Sequence, residues 1–318
     1  MALTLEESAK LSNEQLARGV METFVQESPI LDRIPFMEIQ GNAYTYTSEN
    51  TLPGVAFRAV NEAYPESTGT VKQTTERLFI LGGDADVDRF IQQTRSNLND
   101  QRAEQTTMKV KALSYEYQNT FFNGDTDTNV KGFNGLKKRL TGKQVLDADT
   151  NGLPVLGETN KDIHKFFDKL DELCAAVDGL NGSNGALYTN AAIIAKIRSA
   201  ARHVSADVFV QDDVAGKRSV KWNGIPILDA GSTPAGKAVL GLDETQGSAS
   251  NTASIYAVRF AQGEGDTGVI GLTNGGVTVQ DLGQLQEKAA YRTRIEFYTG
   301  LALFGAKGAA RLKGVLNA

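Results

Sequence analysis

Residues 84–122 read DADVDRFIQQTRSNLNDQRAEQTTMKVKALSYEYQNTFF, and the rest of the fold depends on how this stretch is arranged. Three acids at its start, Asp84, Asp86 and Asp88, suit the positive end of a helix dipole, and Asn123-Gly124 commonly ends a helix. The pattern therefore predicts a single helix over residues 84–122, ~57 Å long at ~1.5 Å per residue. A helix of that length is comparable to or longer than the diameter of a compact domain of this size.

Apolar residues follow helical spacing at both ends of this predicted helix and are missing from its middle. The first stripe is Val87, Phe90, Ile91 and Leu98, and the second is Met108, Ala112, Tyr115 and Phe122. Residues 99–107, NDQRAEQTT, contain no large apolar side chain. We therefore expect the middle of the helix to bridge, to lie exposed or to meet polar partners from elsewhere. An ordinary long helix on a large domain is the alternative.

Composition excludes several classes of protein. The 318 residues are 41% hydrophobic and 22% charged, which suits one large or two medium domains. A single cysteine, Cys174, rules out intrachain disulfides, and no apolar run approaches the ~20 residues that span a bilayer. The N-terminus lacks the features of a secretory signal, so we expect an intracellular origin.

The balance of charge argues against a dedicated nucleic-acid binder. The formal net charge is −5, whereas affinity for phosphate needs clustered Lys and Arg. The strongest basic cluster is Lys131, Lys137, Lys138, Arg139 and Lys143. A run of this kind is most often a solvated face.

The region before residue 84 predicts a helix and an extended arm. Residues 4–27 have the pattern of an amphipathic helix, whereas the alternation at Tyr44 and Tyr46 and the run 71–81 predict two strands. The polar stretch 48–69 lies between these strands and has few apolar residues. A two-stranded arm without a core of its own is marginal in water, so it needs another surface to lie on.

The region after residue 122 predicts a mixture of helices and strands. Helical periodicity covers residues 161–178 and 191–202, and strand patterns occur at 185–188, 208–210, 219–222, 225–228 and 255–260. Asn274-Gly275-Gly276 predicts a hairpin between strands 269–272 and 277–279. Alternation at Thr293, Ile295 and Phe297 predicts a further strand. The fold class is therefore α+β, with two lobes that each carry helices.

One segment satisfies the pattern of a calcium-binding loop. Asp147, Asp149, Asn151 and Gly152 are followed at the twelfth position by Glu158. The segment before this loop reads poorly as a helix, so an Asp-rich and Gly-rich loop between sheet elements is favoured over a calcium site. A partial copy at 125–136 lacks the required glycine and glutamate.

Other chemical motifs are weaker. Residues 263–268, GEGDTG, match a dinucleotide fingerprint, but strand-like residues follow where a helix is needed, which favours a turn. His164 and His203 lie on separate predicted helices, and Cys174 lies on an apolar helix face, which is typical of a small buried hydrophobe. We therefore predict no catalytic residues, no metal, no cofactor and no enzyme activity.

The order of these parts resembles that of a tailed-bacteriophage major capsid protein. The phrases that carry the resemblance include GFNGL at 132–136, ALYTNAAIIAKIR at 186–198, WNGIPIL at 222–228 and YRTRIEFYTGLALFGAKGAARLKG at 291–314. The resemblance implies the Hong Kong 97-like capsid fold, which encapsulins share. It also implies an N-terminal arm (1–36), an extended β-hairpin loop (37–83), a peripheral domain with the long spine helix (84–134 and 265–318) and a mixed α/β axial domain (135–264).

The resemblance also implies a function in assembly. Many copies, as hexamers and pentamers, would close into an icosahedral shell around double-stranded DNA, assembled in the host bacterial cytoplasm and located in the virion capsid. A separate scaffolding protein, or prior cleavage of the chain, is implied because no long scaffolding segment precedes the arm, and a portal would be a further partner. DNA would be contacted without sequence specificity, and no membrane is involved. Lys72 has no assignable crosslinking partner.

Candidate residues for contacts between subunits come from the arm and the spine. They are Phe57, Arg58, Glu62, Asp100, Arg102 and Glu104. An apolar ring flanked by charges on an arm without a core suits an intersubunit contact. The basic cluster would face either the lumen or carboxylates of a neighbour. Two alternatives stay open: an encapsulin-type bacterial compartment, and a calcium-dependent soluble binding protein built on the loop at 147–158.

Overall fold

The computed structural model describes residues 28–95, 101–157, 159–203, 210–212, 218–233 and 235–317. The predicted N-terminal helix at 4–27 lies outside these residues. The helices are α1 (Arg89–Arg95), α2 (Gln101–Asn123), α3 (Leu136–Arg139), α4 (Asn160–Ala175) and α5 (Ala191–His203). The strands are β1 (Phe36–Glu38), β2 (Ala43–Thr51), β3 (Thr70–Arg77), β4 (Phe79–Asp88), β5 (Val145–Asp147), β6 (Leu153–Pro154), β7 (Gly185–Thr189), β8 (Val210–Asp212), β9 (Arg218–Trp222), β10 (Ile225–Asp229), β11 (Glu244–Gln246), β12 (Ala249–Arg259), β13 (Gly268–Gln284), β14 (Ala290–Phe304) and β15 (Ala309–Leu316).

The long helix is shorter than the sequence predicts. The predicted start at Asp84 is wrong, because residues up to Asp88 belong to strand β4, which pairs antiparallel with β14. Asp84 lies opposite Arg294 in this ladder, so its carboxylate meets a cation across the strands and not the end of a helix. The acids recur every second residue, which is the period of a strand.

The face of helix α2 that packs against the core differs from the predicted face. Met108 is 59% exposed, and Ala112 and Tyr115 are only half-buried. The buried apolar side chains of α2 are Val110, Leu113, Tyr117, Phe121 and Phe122. Residues 110, 113, 117 and 121 follow the i, i+3, i+4 spacing of one helix face, which is offset from the predicted stripe.

Helices α4 and α5 pack with a nine-stranded mixed sheet, ordered β5-β15-β12-β7-β10-β9-β8 with β6 and β11 at its side. Their core includes Phe166, Leu170 and Ile197, each fully buried, and Phe167 stacks on Trp222 at 5.1 Å between ring centroids. A capping box between Thr159 and Asp162 starts α4. The predicted helices 161–178 and 191–202 are confirmed to within a few residues.

A four-stranded sheet, ordered β1-β13-β14-β4, lies against α2. The predicted hairpin at Asn274-Gly275-Gly276 is wrong, because β13 continues through these residues along the same partner, β14. Gly275 and Gly276 have φ of 80° and 70°, and the register shifts between Thr273 and Val277. The glycines therefore form a bulge where a type I′ turn was expected.

The spine helix α2 joins the two larger sheets, and the arm forms a sheet of its own. Strands β2 and β3 form a separate two-stranded antiparallel sheet, as the sequence predicts. At its C-terminal end α2 inserts Phe122 between Tyr188 and Tyr256, with ring centroids 5.7 and 5.1 Å away, which fixes the spine to the larger sheet. Strand β15 also lies in the larger sheet, whereas the sequence groups it with the peripheral domain; the domain boundaries stay a prediction.

Candidate subunit interface

Large exposed apolar side chains are concentrated on the arm. They are Leu52 (75% exposed), Val55 (96%), Phe57 (107%), Val60 (89%), Tyr64 (64%) and Val71 (73%). Single exposed apolar residues are normal on a protein surface, but a cluster on one projection indicates a contact surface. We call Val55, Phe57, Val60 and Tyr64 the tip patch.

Two of the predicted interface residues shape the loop that carries this patch. The Glu62 carboxylate accepts a hydrogen bond from the Ala59 N–H at 3.0 Å, and the Arg58 guanidinium donates to the Glu62 carbonyl at 3.3 Å. The same guanidinium lies 5.1 Å from the centroid of the Tyr64 ring. Arg58 and Glu62 therefore hold the turn, whereas Phe57 supplies the exposed surface.

The base of the arm is fixed to the body by a largely buried ion pair. The Arg139 guanidinium of α3 donates two hydrogen bonds to the Glu76 carboxylate of β3, and each side chain is only 14% exposed. Tyr46 of β2 donates to the Leu303 carbonyl at 3.0 Å and packs edge-on against Phe304. Burial, with the nearby Glu76 charge, raises the pKa of Tyr46. The base therefore packs against the body of its own chain, whereas the side chains of the tip patch are exposed.

The polar start of α2 is partly packed against β13 and β14. The Arg102 guanidinium pairs with Asp281 at 2.6 Å, donates to the Thr293 hydroxyl at 3.3 Å and lies 5.2 Å from the centroid of the Tyr291 ring. The Gly283 N–H and Arg102 both lower the pKa of Asp281. Glu104 is exposed, and Asp100 lies outside the described residues. For the middle of the predicted helix we expected exposure or polar partners from elsewhere in the chain. Arg102 has such partners, and Glu104 is exposed.

The basic cluster is largely neutralised within the chain. Arg139 pairs with Glu76, Lys137 lies 3.3 Å from Glu244, and Lys138 lies 3.1 Å from Asp125. Lys131 and Lys143 are exposed. A lumenal or intersubunit role for this cluster would therefore depend mainly on Lys131 and Lys143, and it stays a prediction.

The sequence does not reveal a charge network at Glu244. Its carboxylate accepts hydrogen bonds from the Arg311 guanidinium at 2.8 Å and from the Ser254 hydroxyl, beside Lys137. Burial favours the neutral acid, but the Ser254 hydrogen bond and the two cations outweigh it, so the pKa of Glu244 is lowered. This network ties β11 to β12, β15 and α3. Its members are far apart in sequence, and no local motif marks them.

The candidate calcium loop connects two sheet strands. Its carboxylates pair with lysines, Asp147 with Lys313 at 3.0 Å and Asp149 with Lys165, while Glu158 lies outside the described residues. Strand β5 leads into the loop where a calcium loop of this type requires a helix, and strand β6 lies inside the twelve residues, so only the following segment, α4, is helical. Among the residues that the structure describes, no group of three or more His, Cys, Asp or Glu could hold a metal ion.

The remaining motifs have structural roles. Residues 263–268 form a turn that leads into β13, with Asp266 paired to Arg259 at 2.6 Å, as the turn interpretation predicts. Burial raises the pKa of Cys174 to about 12, which keeps it a thiol. His164 lies on α4 and His203 ends α5. In the part of the chain that the structure covers, no helix has the length and apolar character to cross a membrane.

Comparisons with known proteins identify the fold. The major capsid protein GP7 family matches residues 12–156, and no curated protein matches the chain. The SrpI encapsulin of Synechococcus elongatus PCC 7942 is similar over 100% of this chain and 98% of its own, with TM-score 0.64 and 16% identity. The capsid of the native GTA particle is similar over 92% and 90%, with TM-score 0.64 and 12% identity. A chain of Mycobacterium phage Bobi is similar over 98% of both chains, with TM-score 0.61 and 14% identity.

These matches confirm the fold that the resemblance implied. They do not test the individual interface residues, which stay predictions. The major capsid protein GP7 family matches residues 12–156, and capsid and encapsulin shells match the fold along the chain, so the chain has the Hong Kong 97-like capsid fold, which tailed-bacteriophage major capsid proteins share with encapsulins.

Proposed function

We propose that this chain is the major capsid subunit of a tailed bacteriophage, and that copies of it assemble as hexamers and pentamers into an icosahedral shell around double-stranded DNA. The tip patch carries the proposal, because its apolar side chains have no core within the described arm and would be covered by a neighbouring subunit. The GP7 family match supports a phage origin. Assembly would occur in the host bacterial cytoplasm, and the finished shell would be the virion capsid.

The overall charge supports a shell that holds DNA without binding it tightly. A net charge of −5 repels a polyanion on average, while exposed lysines allow local contacts. DNA would therefore be contacted without sequence specificity. A separate scaffolding protein and a portal would be the other partners, since they supply shell curvature and a site for DNA entry. The function requires no catalytic group.

The direct test is to purify the chain, alone and with candidate scaffolding proteins from its genome, and to examine it by size-exclusion chromatography and negative-stain electron microscopy. We expect rings, sheets or closed shells. Particles recovered from infected cells should protect double-stranded DNA from nuclease. A compact monomer that forms no assembly under any of these conditions would contradict the proposal.

An encapsulin-type compartment is the second candidate, because the SrpI encapsulin is similar along the whole chain. Such a shell would form without a scaffolding protein and would purify with one discrete cargo protein. Mass spectrometry of purified particles separates the two functions. DNA and a portal would indicate a virion, whereas a single abundant enzyme would indicate a compartment.

A further inference from the structure

The short helix α3 carries three consecutive cations that contact three different parts of the subunit. Because successive helix residues are rotated by about 100°, Lys137, Lys138 and Arg139 leave the helix in three directions. Lys137 pairs with the nine-stranded sheet, Lys138 with the loop that follows the spine, and Arg139 with the arm. The basic cluster identified in the sequence therefore lies at a junction between these parts.

The contact of α3 with the nine-stranded sheet ends on a largely buried carboxylate. The Lys137 ammonium lies 3.3 Å from a Glu244 oxygen, and the Glu244 side chain is only 18% exposed. The same carboxylate accepts a hydrogen bond from Arg311 at 2.8 Å. Glu244 belongs to β11 and Arg311 to β15, so this contact joins α3 to two strands of the sheet.

The contact of α3 with the arm starts two residues further along the helix. The Arg139 guanidinium donates to the Glu76 carboxylate of β3, and both side chains are 14% exposed. The Arg139 Nε–H also donates to the Asn134 carbonyl at 2.6 Å, just before α3. Arg139 is therefore fixed to its own helix while it holds the arm, and a displacement of α3 would carry the guanidinium with it.

Close packing fixes α3 to the C-terminal end of the spine. Leu136 is fully buried in the core that includes residues of α2. The Gly135 N–H donates to the Gly124 carbonyl at 2.8 Å, and a Cβ at Gly135 would lie 2.5 Å from the Thr120 carbonyl oxygen. Packed interiors have low compressibility and transmit strain. A force on one end of α3 therefore reaches the contacts at the other end.

We propose that α3 couples the arm to the nine-stranded sheet, so that the contact of Lys137 with Glu244 helps to hold the base of the arm through Arg139. Lys137 is then a positioning residue, because its effect on the arm passes through the helix. The effect is reciprocal, since a coupling free energy acts equally on both sites. This coupling belongs to the single subunit and does not depend on the shell function.

Hydrogen exchange of the unassembled subunit tests the coupling. Lys137→Glu places a carboxylate against that of Glu244, and the variant should still fold because the Lys137 side chain is 48% exposed. Exchange at the base of the arm, residues 43–47 and 73–77, should rise at least about fivefold, the lower end of typical coupling between sites. Exchange in β7 and β12 should stay unchanged, because these strands report on the nine-stranded sheet.

Two further variants serve as controls. Lys137→Arg keeps a cation beside Glu244, so exchange at the base of the arm should match the unchanged chain. Lys237→Glu makes the same change of charge outside α3, in a pair with Asp243 whose lysine side chain is 69% exposed. It should also leave the arm unchanged. Equal exchange at the base of the arm in Lys137→Glu and Lys237→Glu would overturn the proposal, as would an equal rise in β7 and β12.

A double variant separates coupling from independent effects. Glu76→Gln releases the arm from Arg139, so adding Lys137→Glu should raise exchange at the base of the arm no further. If the two increases multiply in the double variant, the contacts act independently and the proposal fails. Each of these measurements uses the single subunit, so this failure would leave the proposed shell function intact. A chain that never assembles would contradict the shell function without affecting the coupling.

Discussion

Apolar side chains are buried in the nine-stranded lobe and exposed on the two-stranded arm. In the lobe, Phe166, Leu170 and Ile197 are fully buried between helices and sheet. On the arm, Phe57 and Val55 are almost fully exposed, although the two strands that lead into and out of their loop are well paired. A small two-stranded sheet cannot enclose a core, so the apolar side chains of the arm stay exposed in the single chain. The lobe stabilises the subunit, whereas the arm leaves apolar surface exposed for the contacts between subunits that we propose.

The largest expected effect is on the unfolding free energy, where substitutions in the lobe and on the arm should differ. Leu170→Ala removes a fully buried side chain and should lower the free energy of unfolding of the unassembled subunit by about 2–5 kcal/mol. Phe57→Ser should change it by no more than about 0.5 kcal/mol, because an exposed side chain loses few contacts on truncation. Urea denaturation of the unassembled subunit measures both. A large loss at Phe57 would show that the tip packs on its own chain.

The largely buried ion pair at the base of the arm should give the next largest effect. Glu76→Gln leaves the Arg139 charge buried without its counterion, which should cost about 3 kcal/mol. The control is Asp127→Asn, because Asp127 is 75% exposed in its pair with Lys138 and should contribute under about 1 kcal/mol. Urea denaturation compares the two variants. Equal costs would mean that the arm is not held at this point.

The Glu76 variant should also change the dynamics of the arm. Hydrogen exchange in β2 and β3 should rise more than in the lobe, because the ion pair joins the arm to α3. If exchange rises equally in both regions, Glu76 supports the whole subunit and does not specifically orient the arm.

A smaller effect is expected at Glu244, with a defined dependence on pH. The folded protein lowers the pKa of Glu244, so the stabilisation is fully present above the unfolded pKa, ~4.3, and is lost as pH falls through the lower folded pKa. Glu244→Gln should therefore destabilise the subunit by about 1–3 kcal/mol at pH 7. The difference between variant and unchanged chain should decline below about pH 4.3.

The neighbouring residue supplies a control for this pH dependence. Asp243 pairs with Lys237, but both side chains are more than 65% exposed, at 67% and 69% respectively. Asp243→Asn should change the unfolding free energy by under about 1 kcal/mol. Urea denaturation from pH 3.5 to 8 compares the two variants. If Glu244→Gln lowers the unfolding free energy equally at every pH in this range, the loss comes from packing and not from charge.

The sequence predicts those parts of the fold whose signals are local. The helical periodicity of residues 161–178 and the alternation at Thr293, Ile295 and Phe297 each lie within one element, and both predictions are confirmed. The arm is also predicted, because alternation and a scarcity of apolar residues are visible along the chain. The capsid resemblance came from the order of such elements.

The errors occur where a distant partner decides the structure. Asp84 and Asp86 favour a helix start when read alone, but their bidentate partners, Arg294 and Arg292, lie 210 and 206 residues away. Similarly, Gly275-Gly276 has the composition of a hairpin turn, but pairing with β14 on both sides makes it a bulge. The open groove at the base of the arm gathers residues 41–42, 78–80, 274 and 298 from four separate segments, so no local pattern could reveal it.

The smallest expected effect concerns the spine, where two predicted interface residues differ in their surroundings. Arg102 contacts Asp281, Thr293 and Tyr291 of its own chain. Arg102→Ala should therefore lower the unfolding free energy by about 1 kcal/mol, the sum of a partly exposed ion pair and a cation–π contact.

Glu104 lies half a turn from Arg102 on the exposed surface of α2. Glu104→Lys should leave the unfolding free energy within about 0.5 kcal/mol of the unchanged chain, since an exposed side chain away from special features contributes little to stability. If the spine meets a neighbouring copy, the same variant should raise the subunit concentration needed for assembly, because reversing a charge disturbs the complementarity of an interface. Light scattering during assembly measures that concentration. If the concentration needed for assembly is unchanged, the intersubunit surface is restricted to the arm. The spine would then resemble the lobe, because its contacts would lie within its own chain.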